Sequence, residues 1–321
     1  MDMIQELVGL GGVSGNESAV LAYIKKQITP FADKVYEDRL GNLVAVKHGN
    51  GPRVLLTACT DLAGLIFTSA DNDGFLYVNA IGELDLSSLI GSTVVFLNGV
   101  QGIFSSFAKK DIQIKDCFVD IGAKNCEEAK AHVPPGTTAV FKSSFVQMGS
   151  RFSSYGLNGR LGCFCLMEVL RRLNKPSCEA FFAFTVQNAV GFRGAGVVCR
   201  DIDPELAIAV GTIEESKGSE KDRSAVSIGK GAAVKICDHT AVCSLEIIED
   251  LENLAQRKGI ALQRNVFCSG ESETGVFQKN GMGVKTGGIG IPIRYPHSAA
   301  ETADRADVEA TVAVVTAYLE K

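Results

Sequence analysis

Apolar residues recur at helical spacing at the start of the chain, where Ile4, Leu7 and Val8 precede Gly11-Gly12 and predict a short helix broken by glycine. A second helix is predicted over 17–28. Short β-rich runs follow at 43–46 and 54–58, and the second leads straight into Cys59-Thr60-Asp61, which puts that triplet at a strand end. After Asp61 the texture changes to short strands joined by tight turns. Asp73-Gly74 separates the runs 65–68 and 75–79, and Asn98-Gly99 separates 93–97 from 100–104. Both dipeptides favour positive φ, so both predict hairpins. A short helix is predicted from about Asn125, with Glu128 completing its cap. From Gly162 the pattern gives a helix through Leu173, strands at 179–186 and 206–210, and a helix over 246–258 closed by Gly259. A last helix is predicted over 304–320, with Val308, Val312 and Val315 on one stripe.

Strands alternating with helices predict an α/β fold, a mixed sheet with helices on both faces, built from residues 1–61 and 151–321. The hairpin-rich stretch 62–150 reads as an inserted small β-barrel-like domain. In open α/β sheets ligands bind outside the carboxyl ends of the strands, which makes the Cys59–Asp61 position a candidate site. At 321 residues the chain is long enough for one large and one small domain. Its 46% hydrophobic and 21% charged content excludes disordered and fibrous classes and predicts a soluble, compact protein. A net charge of −5 with no Lys/Arg stripe argues against nucleic acid as a partner. No apolar run approaches the roughly 18 to 20 residues of a membrane span, and the first residues, Met1 to Glu6, are acidic where a signal peptide is basic. The expectation is a cytoplasmic protein that does not engage membranes. Ten cysteines are spread thinly from Cys59 to Cys268 and read as reduced thiols. The close pair Cys163 and Cys165 falls in a predicted helix, where i and i+2 side chains point apart.

Several stretches together resemble the family of glutamyl and deblocking aminopeptidases, the tetrahedral aminopeptidases, some of whose members are labelled cellulases or endoglucanases. They are Val13-Ser14-Gly15-Asn16-Glu17, Arg39-Leu40-Gly41-Asn42-Leu43, Cys59-Thr60-Asp61-Leu62-Ala63-Gly64 and Phe118-Val119-Asp120-Ile121-Gly122-Ala123. The series continues with Asn158-Gly159-Arg160-Leu161-Gly162-Cys163, with Thr185 through Ala195, and with Arg294-Tyr295-Pro296-His297-Ser298 followed by Glu301. The resemblance implies a zinc-peptidase-like α/β domain interrupted by a barrel-like insertion, two zinc ions, and a hollow homo-oligomer assembled through the insertion.

The same resemblance shows where the chain departs from its family. The family's first zinc ligand, a histidine, corresponds to Cys59, while the aspartate that orients it is retained as Asp61. The bridging aspartate corresponds to Asn158, the glutamate general base to Asn188, the next glutamate ligand to Ala189, and a further aspartate ligand to Gly211. Only His297, matching the second zinc's histidine, keeps its identity. Arg160, Gly162, Gly191, Arg193 and Gly194 read as parts of the motifs that shape backbone.

Four carboxylates are therefore missing from a pocket that must hold two divalent cations, and catalytic zinc takes three protein ligands. A neutral Asn158 amide cannot bridge two cations as a carboxylate does, and Asn188 has no pKa with which to shuttle a proton. The expectation is a pseudopeptidase with no cofactor and no catalytic residue. It would bind a small peptide or amino acid at Cys59, Asp61, Asn158, Asn188 and His297, or assemble with an active relative. The alternative is an active aminopeptidase that uses zinc or cobalt through substitute ligands drawn from Glu214, Glu215, Glu271 and Glu273. A weaker one is a hydrolase built on a Cys59–His297 dyad.

Overall fold

The computed structural model of the chain describes residues 1–216, 226–266 and 270–321, so Cys268 lies outside the described residues. The chain opens with helices α1 (Asp2–Gly9) and α2 (Ser18–Ile28), followed by strands β1 (Lys34–Glu37), β2 (Leu43–Lys47) and β3 (Arg53–Cys59). It then enters a closed six-stranded barrel made of β4 (Gly64–Ala70), β5 (Leu76–Ile81), β6 (Thr93–Phe96), β7 (Gln101–Ser106), β8 (Cys117–Asp120) and β9 (Thr138–Phe141). Helices α3 (Leu86–Leu89) and α4 (Cys126–His132) decorate it. Inward-facing Leu65, Phe67, Leu76, Val78, Phe96 and Phe104 fill its core.

Both predicted hairpins form, although only the glycine of each turn pair takes positive φ, Gly74 at 87° and Gly99 at 88°. The first turn is organised by Asp71, whose carboxylate accepts the N–H groups of Asp73 and Phe75 at 3.0 Å each. The α4 cap also forms as predicted: Glu128 N–H donates to Asn125 Oδ1 at 2.9 Å, and Glu128 Oε2 accepts from Lys124 N–H at 2.8 Å.

The chain rejoins the large sheet before residue 150, because β10 (Val146–Met148) pairs with β11 (Arg151–Ser154) at the sheet edge. There follow α5 (Leu157–Arg172), β12 (Glu179–Thr185), α6 (Arg193–Ile202), β13 (Leu206–Glu214), β14 (Ala232–Lys235) and α7 (Leu245–Lys258). The chain closes with β15 (Leu262–Asn265), α8 (Thr274–Gln278), β16 (Lys285–Arg294), β17 (Glu301–Asp304) and α9 (Arg305–Leu319). The sheet runs in the order β1-β2-β12-β3-β13-β16-β17-β11-β10, with β14 and β15 branching from β16. Its centre, β12-β3-β13-β16, is parallel, so four strand ends point the same way.

Strand alternation divides the apolar side chains between two layers. Val54, Leu56 and Ala58 of β3 and Phe182 and Phe184 of β12 face one layer, packed on α1, α2, α5, α7 and α9. Leu55 of β3 and Ala183 of β12 face the other, against α6 and α8. Two elements differ from the sequence expectation. Helix α5 begins at Leu157 and not at Gly162, because its glycine-rich first turn is closed by a carboxylate 143 residues away: Asn158 N–H donates to Glu301 Oε2 at 2.9 Å. Strand β13 continues beyond Val210 to Glu214, held in parallel register with β16 throughout, so Gly211 lies within a strand and not after one. Helix α5 crosses these strand ends so closely that a Cβ on Gly162 would lie 2.3 Å from Val210 O, which only glycine permits.

Candidate functional site

The carboxyl ends of β3, β12, β13 and β16 open into a cavity of about 710 Å3. Cys59, Asp61, Asn158, Asn188, Ala189 and His297 all lie on its wall. A floor compartment of about 100 Å3 shares Cys59, Asn158 and Asn188 with it and adds Gly211 and Glu273. Positions separated widely in sequence are thus gathered where the parallel strands end, as the strand-end argument anticipates.

The loops that carry these positions are held from behind by buried polar groups. Asp61, 5% exposed, accepts the N–H of Asn188 at 3.0 Å and of Ala189 at 2.9 Å, together with the Ser14 hydroxyl at 2.5 Å. Its role is to hold backbone. Glu17 Oε1 accepts the N–H groups of Gly15 and Gln187, both at 2.9 Å. Asn42, fully buried, receives Val186 N–H at 2.9 Å and donates to Gly194 O at 3.1 Å. A Cβ on Gly194 would lie 2.2 Å from the Asn42 amide oxygen, so the motif glycine is required by close approach. Glu301, 2% exposed, binds the N–H of Asn158 at 2.9 Å and of His297 at 2.8 Å. Gln187, Phe192, Tyr295 and His297 all hold positive φ, at 54°, 55°, 55° and 63°, a conformation that costs about 1–3 kcal/mol per non-glycine residue. The rim of the cavity is therefore a pre-set, strained backbone fixed by carboxylates and amides.

The groups facing the cavity are of a different kind. Asn158 Oδ1 accepts a hydrogen bond from the Thr212 hydroxyl, while Asn188 lines the cavity with its amide oxygen turned into the protein, buried and without a hydrogen-bond partner among the described residues. Ala189 presents only a methyl group. Gly211 faces open space, with no heavy atom within 4 Å of where its Cβ would stand. Burial, then the nearby Asp61 and Glu273 carboxylates, push the Cys59 thiol well above its ordinary range, the opposite of what a nucleophile requires. His297 Nε2 lies 3.4 Å from Glu83 Oε2. The two-zinc centre implied by the family resemblance does not fit this donor set. On the correspondence that the resemblance implies, the bridging position is the neutral Asn158 amide, already bonded to Thr212, and two ligand positions, Ala189 and Gly211, carry no donor atom. Among the described residues, no group of three or more His, Cys, Asp or Glu side chains is placed to hold a metal ion.

Of the four glutamates considered as substitute ligands, Glu214 and Glu271 lie on the cavity wall. Glu215 does not face it: the carboxylate pairs with the Arg294 guanidinium and accepts Ile228 N–H at 3.0 Å, so it ties β13 to the end of β16. Glu273 is 5% exposed and bonded to the hydroxyls of Thr57 and Thr185, the latter at 2.6 Å. Burial pushes it up to about 7 against those hydrogen bonds. Glu301 is likewise pushed up by burial to about 7, despite the amides it binds.

Three residues at the site carry no sequence signal. Lys235 lines both compartments and donates to Asp238 at 2.9 Å. Against the upward push of burial, hydrogen bonds from Ser272 and Lys235 hold Asp238 down to about 2. Thr212, which engages Asn158, emerges only once β13 is known to extend past Gly211. Arg160 was read as a backbone-shaping motif residue, and it is fully buried, reaching Leu7 O at 3.2 Å, Leu10 O at 3.1 Å and Gly11 O at 3.4 Å. Cys163 and Cys165 make separate hydrogen bonds, to Cys59 O at 3.1 Å and Val308 O at 3.9 Å. No helix among the described residues is long and apolar enough to cross a membrane.

Comparison with known proteins places this architecture. A putative aminopeptidase of Acetivibrio thermocellus is 35% identical over 97% of this chain and 96% of its own length. Aminopeptidase APDkam598 from the archaeon Desulfurococcus kamchatkensis superposes with a TM-score of 0.95 at 28% identity, covering 100% of this chain and 94% of that one. The TET1 peptidase of Pyrococcus horikoshii, described as able to assemble into a tetrahedron or a large octahedral shell, gives a TM-score of 0.88 at 29% identity, covering 100% and 99%. The M42 glutamyl aminopeptidase family model matches residues 41–314, and the chain belongs to that family.

Proposed function

We propose that this chain is a non-catalytic member of its family, a pseudopeptidase whose cavity binds a small amino-acid-sized or peptide-sized ligand without metal. The observation that carries the reading is the contrast within one site. The scaffold groups Asp61, Glu17, Asn42 and Glu301 hold the backbone that carries Asn158, Asn188, Ala189 and His297, while Asn158, Asn188, Ala189 and Gly211 present no carboxylate to the cavity. Strained backbone at the rim supports retention of a binding surface, since such conformations persist where the surroundings enforce them. Hydrolysis needs a base for water and an acid for the leaving amine, and an asparagine supplies neither.

The test is an assay of purified protein on aminoacyl chromogenic substrates with added zinc or cobalt. The proposal predicts no turnover that a chelator abolishes, and such turnover would refute it. The competing reading, an active metal-dependent aminopeptidase, draws on the family membership and on Glu214 and Glu271 at the cavity wall. A Cys59-dependent hydrolase draws no support, because the thiol is held protonated by burial.

Assembly into a homo-oligomer through the inserted barrel is part of the same proposal. It is supported by the assemblies described for the TET1 relative and by Leu97, Ile103 and Phe107, which the barrel exposes. Mass photometry of the chain and of a Leu97→Glu, Phe107→Glu variant tests it. A monomeric parent would overturn it, and dissociation of the variant alone would support it.

A further inference from the structure

The floor compartment beside Gly211 gathers side-chain N–H groups that have no acceptor of their own. Strand β14 pairs with β16 so that Lys235 stands opposite Gly288, and a Cβ on that glycine would lie 3.0 Å from Lys235 Cβ and 3.2 Å from Lys235 Cδ. The glycine therefore lets the lysine stem lie flat across β16, and Lys235 lines both compartments with its side chain only 14% exposed. An ammonium carries three N–H groups. One is committed, to Asp238 at 2.9 Å, and Nζ has no other acceptor among the described residues. Asn158 and Asn188 line the same compartment. The Thr212 hydroxyl donates to Asn158 Oδ1, and the Asn188 oxygen is turned into the protein, which leaves the N–H end of each planar amide uncommitted among the described residues. On the floor itself nothing intrudes, since no heavy atom lies within 4 Å of where a Cβ on Gly211 would stand.

We infer that the floor compartment is a recognition site for a neutral carbonyl oxygen, that of a peptide group or a carboxamide, received by Lys235 Nζ together with the Asn158 and Asn188 amides. The inference rests on the metal-free binding reading above and names the ligand atom that the site takes. A carbonyl oxygen offers two lone pairs and no proton, the complement of three side chains whose spare groups are donors. The Glu271 carboxylate also borders the compartment, but it is exposed and keeps its water. A carboxylate ligand would meet that charge and a Lys235 ammonium already offset by Asp238, so it gains little to set against its own desolvation. An ammonium ligand would bring N–H groups to N–H groups and stand beside a second ammonium. Ordering helps as well: Asp61 fixes the backbone of Asn188 and Glu301 that of Asn158, so two of the three donors are placed before a ligand arrives.

Saturation-transfer NMR of the full chain, stripped with chelator and dialysed, against butyramide, butyrate and butylamine tests this. These probes share a four-carbon frame and differ at the head group, and the method reads the weak affinities that so small a ligand allows. Saturable binding of butyramide in preference to the other two is expected, weakened about tenfold in Lys235→Met and in Asn188→Ala, in line with the worth of one hydrogen bond in a desolvated site. Circular dichroism melts of both variants control for folding. Lys235→Met leaves Asp238 without its cation, whereas the Asn188 side chain has no described partner to lose, so Asn188→Ala keeps the test valid if the lysine variant is unstable. Tighter binding of butyrate or butylamine than of butyramide, butyramide binding unchanged in a variant that folds, or binding of none of the three probes overturns the inference. A calorimetric zinc titration of the same sample separates it from the reading on which it rests. If neither zinc nor butyramide binds, the carbonyl site alone fails. Two zinc ions bound per chain would show that the metal-free reading fails, whatever the probes do.

Discussion

Asp61 accepts the backbone N–H of Asn188 at 3.0 Å, across 127 residues of chain. In the family pattern the aspartate orients a zinc-binding histidine and the residue at 188 is the general base, so the two serve one reaction. Here the contact is between a carboxylate and a backbone, and it survives any change of side chain at 188. The contact therefore holds the loop's shape whichever side chain stands at 188.

Asp61→Ala should therefore act on folding. It leaves two amides and a hydroxyl without an acceptor in a buried setting, and a loss of about 2–4 kcal/mol is expected. Denaturant midpoints at constant m-value measure it, and a change below about 0.5 kcal/mol, the range of ordinary surface substitutions, would show that Asp61 does not hold the loop.

Arg160→Ala removes a fully buried guanidinium that gathers the carbonyls of Leu7, Leu10 and Gly11 at the end of α1. A cost of about 3–5 kcal/mol is expected from the cavity and the orphaned carbonyls. Arg160→Lys should recover only part of it, since one ammonium lacks the planar fork that spans these acceptors. Full recovery by lysine, read from thermal melts, would contradict the assignment.

The buried carboxyl of Glu273 sets a pH dependence. Burial raises it from 4.5 to about 7 in the folded chain, so the folded state binds more protons than the unfolded state between those values. Stability contributed by the protonated form is present below the unfolded pKa and is lost as pH rises through about 7. Glu301 shifts in the same direction. Urea midpoints measured across this range should fall with rising pH, and Glu273→Gln should flatten the slope without abolishing it. An unchanged slope in that variant would show Glu273 to be ionised throughout.

Much of this was legible in the sequence. Helices on both faces of a mixed sheet followed from the alternation of strands with helices along the chain, and the barrel from Asp73-Gly74 and Asn98-Gly99. The convergence of Cys59, Asn158, Asn188 and His297 followed from their motifs. What stayed hidden depends on long-range partners. The first turn of α5 reads as a loop until Glu301 is seen to cap it, and Gly211 reads as following a strand until β16 is found beside it. Lys235 and Asp238 carry no motif. Their importance comes from a buried ion pair that only the packing of β14 creates. Glu215 is the converse case, a loop carboxylate in the sequence that Arg294 removes from the cavity.

Gly211→Asp tests the geometry of the ligand positions without assuming activity. A side chain there enters open space, so the variant should fold with a stability change within about 1 kcal/mol, as surface substitutions do. A severe loss would mean that the floor compartment is closed in solution. Restoring only Asn188→Glu and Ala189→Glu should yield no tight zinc binding, because positions 158 and 211 would still lack carboxylates.

The most direct measurement is the structure of crystals grown with excess zinc, with anomalous scattering collected at the zinc edge. The account predicts no pair of bridged zinc peaks among Cys59, Asn158, Asn188 and His297. Two such peaks, through whatever ligands, would contradict it.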